Sequence, residues 1–410
     1  MTQPNLHIIG AGLAGLSAAY HAAKAGQWKV HLYEASPQAG GRCRSYFDEK
    51  LQTQLDNGNH ILLGANSHAL ALIDTLGMRD HFRKGTGFHF RDSQTGRTWE
   101  IHSLWDLPFM QRKDRIALLR LLFLSKKSTT VSSYFAATPF YRYIITPLCI
   151  SALNTEPERA SAKLFAKLLK KLWLNRAQAH YYYWPLLNWG HSLITPLVNR
   201  LTEMGVSIHY ETPLKHFDAT EEHITHLHFA EQCVDIQEGD AAIFALSLPA
   251  LHHVMPLLHL PQEHEGIING HFLHSLGQDY EGKAVGLTGS TADWVFCKPH
   301  VVSTTTSASS RIKSEDSAEL AASLWEDVCT ALELGEEAAH IIPPYRIIHE
   351  KRATFAATPE NCALRPKAQT AYNNLFFAGD CTANGLPATI EGAVLSGEYA
   401  AALATASLLP

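Results

Sequence analysis

No two cysteines in this chain are separated by two residues, and the seven present, at 43, 149, 233, 297, 329, 362 and 381, are scattered and odd in number. That pattern argues against a structural zinc site and against a disulfide framework, and it fits a reducing compartment. No excess of positive charge exists either: 34 Lys and Arg against 39 Asp and Glu leave a net charge of -5. The general electrostatic reason to expect a nucleic-acid partner is therefore absent. No uninterrupted apolar run approaches the roughly 20 residues of a membrane span. The first residues, Met1 to Pro4, lead into an apolar strand without the basic region and cleavage pattern of a secretion signal. A cytoplasmic location is expected. With 410 residues, 46% of them hydrophobic and 18% charged, the chain is long enough for two intertwined globular domains.

What the sequence does contain begins at once. Leu6 to Ile9 read as a short buried strand, followed by Gly10-Ala11-Gly12-Leu13-Ala14-Gly15 and a helix that stops at Gly26. A second strand, Lys29 to Tyr33, delivers Glu34 at its end. Strand, Gly-x-Gly-x-x-Gly, helix, strand and acid form the arrangement of a dinucleotide site. Gly10 makes the tight turn, Gly12 admits a pyrophosphate close to the backbone, and Gly15 lets the helix pack on the strand. The helix opening at Leu13 and Ala14 offers unpaired N–H groups and a positive dipole end to phosphate. Glu34 can accept hydrogen bonds from ribose hydroxyls.

Two further segments point to FAD. Gly40-Gly41-Arg42 follows Glu34 closely, a second glycine pair with a guanidinium suited to phosphate. Here the chain resembles the amine oxidase and carotenoid desaturase superfamily of flavoproteins. Near the C-terminus Asn374 to Asp380 reads as a strand ending in Ala-Gly-Asp, followed by Gly385 to Ala393 and a small-residue helix. The resemblance implies that Gly379 and Asp380 meet the ribityl and phosphate part of FAD. It also implies that the helix opened by Ile390 and Ala393 points its N-terminus at the flavin. Gly58 and Asn59 are expected beside the flavin, and Leu214, after the strand-like run from Gly205, beside the adenine.

The expected architecture is α/β: a Rossmann-like FAD-binding domain of the amine oxidase and glutathione reductase type, with an inserted α+β substrate domain. The cofactor domain is expected to be discontinuous, at 1–80, 190–252 and 345–410, with 81–189 and 253–344 on the substrate side. Residues 240–247 read as a buried parallel strand. Trp294 to Phe296 and Val301 to Thr306 read as strands, although the Ser/Thr run at 303–310 also suits a flexible loop. Over 163–176, Leu164, Phe165, Leu168, Leu169, Leu172 and Trp173 share one helical face and Lys163, Lys167, Lys170 and Lys171 another, with no acid between. That suits a helix lying on an anionic membrane, which would make the protein peripheral on the inner membrane, and equally a surface helix packed on its own core.

Asp56 to Ala65, Leu153 to Ser161 and Gly385 to Ala393 resemble a narrower family, the hydroxysqualene dehydroxylases of bacterial hopanoid synthesis, and the likeness runs the length of the chain. Asn59 stands where that family is expected to carry glutamine, a swap that keeps an amide. The resemblance implies reductive removal of an allylic hydroxyl from hydroxysqualene: the protonated oxygen leaves, and a hydride from N5 of reduced FAD quenches the allylic cation to squalene. Such chemistry needs a dry apolar tunnel, a proton donor and a flavin. The donor of electrons to the flavin is unnamed by the sequence. His60 is the candidate acid, its ordinary pKa near 6.5 being suitable, although most histidines are structural. Asn154 and Glu156 are candidates for orienting the hydroxyl. Arg142 either reaches the site or caps a helix, and Tyr181 to Trp184 either line the pocket or form an aromatic core. Rival readings are a carotenoid or phytoene desaturase, which shares the cofactor motifs, and a flavin-free prenyl carrier, against which the intact cradle argues.

Overall fold

A computed structural model describes residues 3–103, 107–276, 280–314 and 316–408. Five strands form one parallel sheet in the order Ser207–His209, Lys29–Tyr33, Asn5–Ile9, Ala241–Phe244 and Leu375–Phe377. Asn5–Ile9 and Ala241–Phe244, inside this sheet, are apolar because both faces are covered; Ala241 to Phe244 are all at most 1% exposed. The helices Leu13–Ala25 and Ile390–Ala406 pack against each other so closely that a Cβ on Gly397 would sit 2.1 Å from the Ala14 carbonyl oxygen. Ser17 Oγ donates to the Val394 carbonyl at 2.8 Å across the same contact. Small residues in both helices are thus what lets the C-terminus return to the first glycine loop.

A second, seven-stranded mixed sheet has the order Tyr345–Phe355, His264–Leu273, Val301–Thr306, Trp294–Cys297, Ala284–Thr288, Phe88–Asp92 and Thr98–Ile101. Val301–Thr306 is a strand buried along its whole length, so the strand reading of that segment holds and the loop reading does not; only after it does the chain turn, at Ser309–Arg311. Tyr345–Phe355 pairs with His264–Leu273 at the edge of this sheet.

The run from Gly205 divides in two: Ser207–His209 enters the parallel sheet, and Leu214–Ala219 begins a separate three-stranded antiparallel sheet. The amphipathic segment forms the helix Ala162–Leu174, capped by Ser161 Oγ accepting from the Leu164 N–H. Among the described residues no helix is long and apolar enough to cross a membrane.

Candidate active site

The first glycine loop is built as the spacing predicts. Gly10 has φ +105°, a conformation L side chains avoid, and its N–H donates to the Tyr33 carbonyl at 2.7 Å. A Cβ on Gly15 would lie 1.8 Å from the Gly10 carbonyl oxygen, so only glycine lets the helix start this near the strand. Gly12 is different: its backbone is ordinary, and a Cβ there would meet nothing within 4 Å. No side chain caps the helix it opens. An uncapped helix N-terminus facing open space at a glycine is a cradle for an anion. Gly41 closes its other side, where a Cβ would come within 3.2 Å of the Gly12 Cα.

Glu34 sits at the edge of this cradle. Its carboxylate accepts from the Ala11 N–H at 2.7 Å and from Ser36 N–H and Oγ at 2.9 and 2.7 Å, so it also ties the glycine loop to the second strand. The backbone at 211 and 212 bonds to Ser36 and Glu34, which brings Leu214, the residue expected beside the adenine, to the same end of the cradle.

From the other direction comes the C-terminal segment. Gly379, with φ +137°, turns the chain at the end of Leu375–Phe377, and Asp380 Oδ1 accepts from Arg42 Nη2 at 2.6 Å. The Arg42 Nη1 donates to the Ala353 carbonyl at 2.5 Å. Asp380 raises the guanidinium above its already basic range, and Arg42 stays partly open to solvent. Thr389 Oγ1 caps the Ile390–Ala406 helix by accepting from Gly392 N–H at 3.1 Å. Three separated segments, opening at Gly10, Gly40 and Gly379, therefore meet along one groove at the carboxyl ends of the parallel strands, where open α/β sheets bind ligands. These residues fit FAD: Gly10 to Gly15 would hold its pyrophosphate, Glu34 its ribose, Arg42 and Asp380 its central phosphate and ribityl region, and the helix from Ile390 its flavin end.

Arg365 was not foreseen. It is buried, with its guanidinium donating to the carbonyls of Asp380 at 3.0 Å, Cys381 at 3.2 Å and Thr382, and to Asn384 Oδ1 at 3.2 Å. Burial lowers its pKa. It shapes the loop that carries Asp380, yet lies in no glycine pattern that sequence reasoning could recognise. Burial also pushes the neighbouring thiols of Cys43 and Cys381 up to about 12, leaving them protonated and unreactive.

The turn after Asp56 carries Gly58, Asn59 and His60 beside this groove. Asp56 is held by Ser45 Oγ at 2.6 Å, Trp189 N–H at 2.9 Å and Lys298 Nζ at 2.7 Å. Asn59 donates through Nδ2 to the Thr304 carbonyl and Thr305 Oγ1, both at 3.2 Å, while its buried Oδ1 has no protein partner. An acceptor left bare there suits a ligand donor. His60 Nε2 lies 3.4 Å from the Arg42 carbonyl oxygen. Burial lowers the His60 pKa, the Arg42 carbonyl and Asp56 oppose that shift, and Arg42 and Lys298 add to it. Its neighbour Ile61 packs with Trp184, Phe296 and Trp294. Trp184 and Phe296, with ring centroids 5.5 Å apart, thus form a buried aromatic wall that begins at the residue after His60, and Tyr182 meets Phe88, whose ring also meets Trp294.

The other candidates are not drawn to His60. Asn154, at φ +49°, ends the helix Thr146–Leu153. Its Nδ2 donates to the Glu265 and Gly266 carbonyls and to Thr354 Oγ1, and its Oδ1 accepts from Ala308 N–H at 2.6 Å. An amide so fully engaged is a joint between segments, not a group free to orient a hydroxyl. Glu156 is half-buried, its carbonyl accepting from Arg159 and Ala160 N–H. Arg142 turns to Asp92 and Gln94, at 3.3 and 3.2 Å, and takes no part in the groove.

The flavin-containing amine oxidoreductase family matches residues 13–405. Hydroxysqualene dehydroxylases of Zymomonas mobilis and Sinorhizobium fredii are each 35% identical, over 97% and 98% of this chain and 98% of their own length. That of Rhodopseudomonas palustris is 33% identical over 98% of both. Among solved structures, a cyclohexylamine oxidase of Brevibacterium oxydans matches with a TM-score of 0.69 at 16% identity, covering 99% of each chain. A redesigned putrescine oxidase reaches 0.70 at 13%, covering 98% of each; these likenesses speak for the fold. The chain belongs to the flavin-containing amine oxidoreductase family, as an FAD-dependent oxidoreductase of its hydroxysqualene dehydroxylase branch.

Proposed function

We propose that this protein removes the allylic hydroxyl of hydroxysqualene by reduction and releases squalene. The observation that carries the reading is the setting of His60: a single imidazole hydrogen-bonded to the cofactor side through Arg42 and continued in the chain by Ile61 into an aromatic wall. The relatives that match end to end carry the corresponding name. Bound in its reduced form, FAD would supply a hydride, which carries both electrons of the reduction. The chain's own residues do the rest. His60 donates a proton to the departing hydroxyl, which leaves as water. Its burial makes the imidazolium a stronger acid, while Asp56, fixed by Lys298, Ser45 and Trp189, supplies a compensating negative charge. Ile61, Trp184, Trp294 and Phe296 keep water from capturing the allylic cation before it is reduced.

The polyisoprenoid substrate dissolves in lipid, so the protein works at a membrane surface and takes its substrate from the bilayer. A desaturase reading ranks second. The zeta-carotene desaturase of a Synechocystis strain is 32% identical over only 23% of this chain. The test is anaerobic photoreduction of the purified flavoprotein followed by hydroxysqualene. Squalene formed in proportion to flavin reoxidised is the expected outcome. No reoxidation, in protein that keeps FAD and binds the substrate, overturns the reading and puts oxidised enzyme with a phytoene-like substrate next.

A further inference from the structure

The helix Arg112–Leu124 has two apolar stripes. One, Ala117 and Leu121 with the buried carboxylate of Asp114, faces the protein. The other, Ile116, Leu119 and Phe123, recurs at i, i+3 and i+7 on the opposite side of the helix and is 59%, 55% and 72% exposed. A helix packed on its own core needs only the first stripe. Leu124, the last residue of the helix, is also 65% exposed, and the helix Ala162–Leu174 lies alongside, with Lys170 Nζ 5.3 Å from the Phe123 ring centroid.

Of the two faces open to that neighbouring helix from its sequence, the structure shows the one packed on its own core. Leu164, Phe165 and Leu172 are buried inward, and the apolar surface it leaves outside is at its end, in Trp173 and Leu174. The exposed apolar surface therefore belongs mainly to Arg112–Leu124, and Lys170 of Ala162–Leu174 flanks it.

The charge around this surface has one sign. Arg112, Lys113, Arg115, Arg120, Lys126 and Lys127 surround the first helix, and the second adds Lys163 and Lys170; Lys171 is spent on Glu391, and Lys167 lies towards Gly385. Within these two stretches the one acid is Asp114, which is buried and spent on the Gln111 N–H and Thr138 Oγ1. A chain with net charge -5 has thus gathered its cations around its exposed apolar stripe. Long Arg and Lys side chains keep their heads in an interface while apolar neighbours enter below them.

We propose that this two-helix face, with Ile116, Leu119 and Phe123 at its centre and Leu124 at its end, is the surface by which the protein lies on an anionic lipid bilayer. The proposal rests on the reading that the substrate is a lipid-soluble polyisoprenoid, and it names the partner and the residues that reading leaves open. A second copy of the chain is the poorer occupant: a two-fold contact through this face would bring the same cations together without acids between them. The inner side of the helix supplies the functional link. Leu121 and Leu118 pack in the apolar cluster that also holds Phe90, Trp99 and Tyr143, with Phe88 and Trp294 against it. The membrane-facing helix thus backs a cluster that shares Trp294 with the aromatic wall of Trp184 and Phe296. Lys171 of the second helix meets Glu391, in the first turn of the flavin-side helix, at 2.5 Å.

The test uses the holoenzyme and sedimentation with vesicles of phosphatidylcholine, with and without phosphatidylglycerol. Binding is expected to the anionic vesicles, at least tenfold weaker to the neutral ones, and weakened by salt. Leu119→Ser with Phe123→Ser, and separately Arg112→Gln with Arg115→Gln and Arg120→Gln, are each expected to lower vesicle affinity at least tenfold. Both variants should keep full turnover of hydroxysqualene supplied in detergent. No binding by the unaltered enzyme, or binding by the variants as tight as its own, overturns the proposal. So does a concentration-dependent dimer that the apolar double substitution abolishes without vesicle binding ever appearing, which assigns the face to a second copy. Vesicle binding together with no dehydroxylation in detergent leaves the docking surface standing and overturns the substrate reading instead.

Discussion

Gly12 and Gly15 are both glycines of one loop, and substituting each by alanine should have opposite consequences. At Gly12 the backbone is ordinary and an added Cβ meets no protein atom within 4 Å. The cost to the apoprotein is then only the poorer helix cap, about 0.5–1 kcal/mol. At Gly15 the Cβ would stand 1.8 Å from the Gly10 carbonyl oxygen, and backbone must move, which costs roughly 1–3 kcal/mol or more. Cofactor binding should respond in reverse. A methyl at Gly12 occupies space that the pyrophosphate needs, and a hundredfold loss of FAD affinity, about 2.7 kcal/mol, is expected. Unfolding of the apoproteins in urea, with FAD titration followed by quenching of flavin fluorescence, separates the two quantities. In saturating FAD the unaltered protein gains about 2.7 kcal/mol at a hundredfold excess over its Kd, and Gly12→Ala should forfeit most of that gain. Full FAD affinity in Gly12→Ala would refute the cradle. Native stability of apo Gly15→Ala would refute the packing.

Arg365→Lys should retain the charge yet fail to reach the three carbonyls and one amide that Arg365 serves; a loss of about 2–4 kcal/mol is expected, with faster FAD release, measured by denaturation and by visible absorbance after gel filtration. His60→Gln should keep stability and flavin and lose dehydroxylation, roughly a hundredfold or more, in a single-turnover assay; turnover unchanged would remove His60 from the chemistry. Asn154→Ala should do the reverse, losing about 2–3 kcal/mol because a left-handed residue with four backbone and side-chain partners is replaced, while turnover per bound flavin is kept.

His271, buried, has its pKa pushed down to about 4 by burial, with Lys298 adding to the effect. Its unfolded form binds protons below pH 6.5 and its folded form does not, so its contribution is present above pH 6.5 and is lost as pH falls towards 4, by about 1.4 kcal/mol per unit. His7, also near 4, acts in the same direction, and Asp327, raised to about 7 by burial, acts in the opposite one. The His271→Asn variant, which can keep the bond that Nδ1 makes to Ser303 Oγ at 2.8 Å, isolates the term: its urea midpoint should fall less steeply with acid than that of the unaltered protein. Parallel pH profiles would show that His271 is not held neutral.

The cofactor groove was legible because phosphate recognition uses short contiguous runs. Gly10 to Gly15, Gly40 to Arg42 and Gly379 to Asp380 each combine a tight turn with a close approach, and glycine is the residue that such backbone demands. The strands and helices around them follow from apolar runs bounded by those turns. Asn154 was misread for the complementary reason. Its residue type suits both an amide that orients a hydroxyl and a left-handed helix cap, and only its four partners, drawn from 265, 266, 308 and 354, decide between them.

Local sequence thus determined the flavin cradle, the α/β class and the amphipathic character of residues 163–176, since each rests on spacing within one segment. Tertiary structure alone decided which side of that amphipathic helix faces inward, that Arg112–Leu124 carries the exposed stripe, that Tyr345–Phe355 joins the seven-stranded sheet, and that Arg365 and Lys298 reach Asp380's loop and Asp56. Those outcomes depend on contacts between residues far apart in the chain, and the free energy of such contacts comes from burial and pairing that no single segment contains.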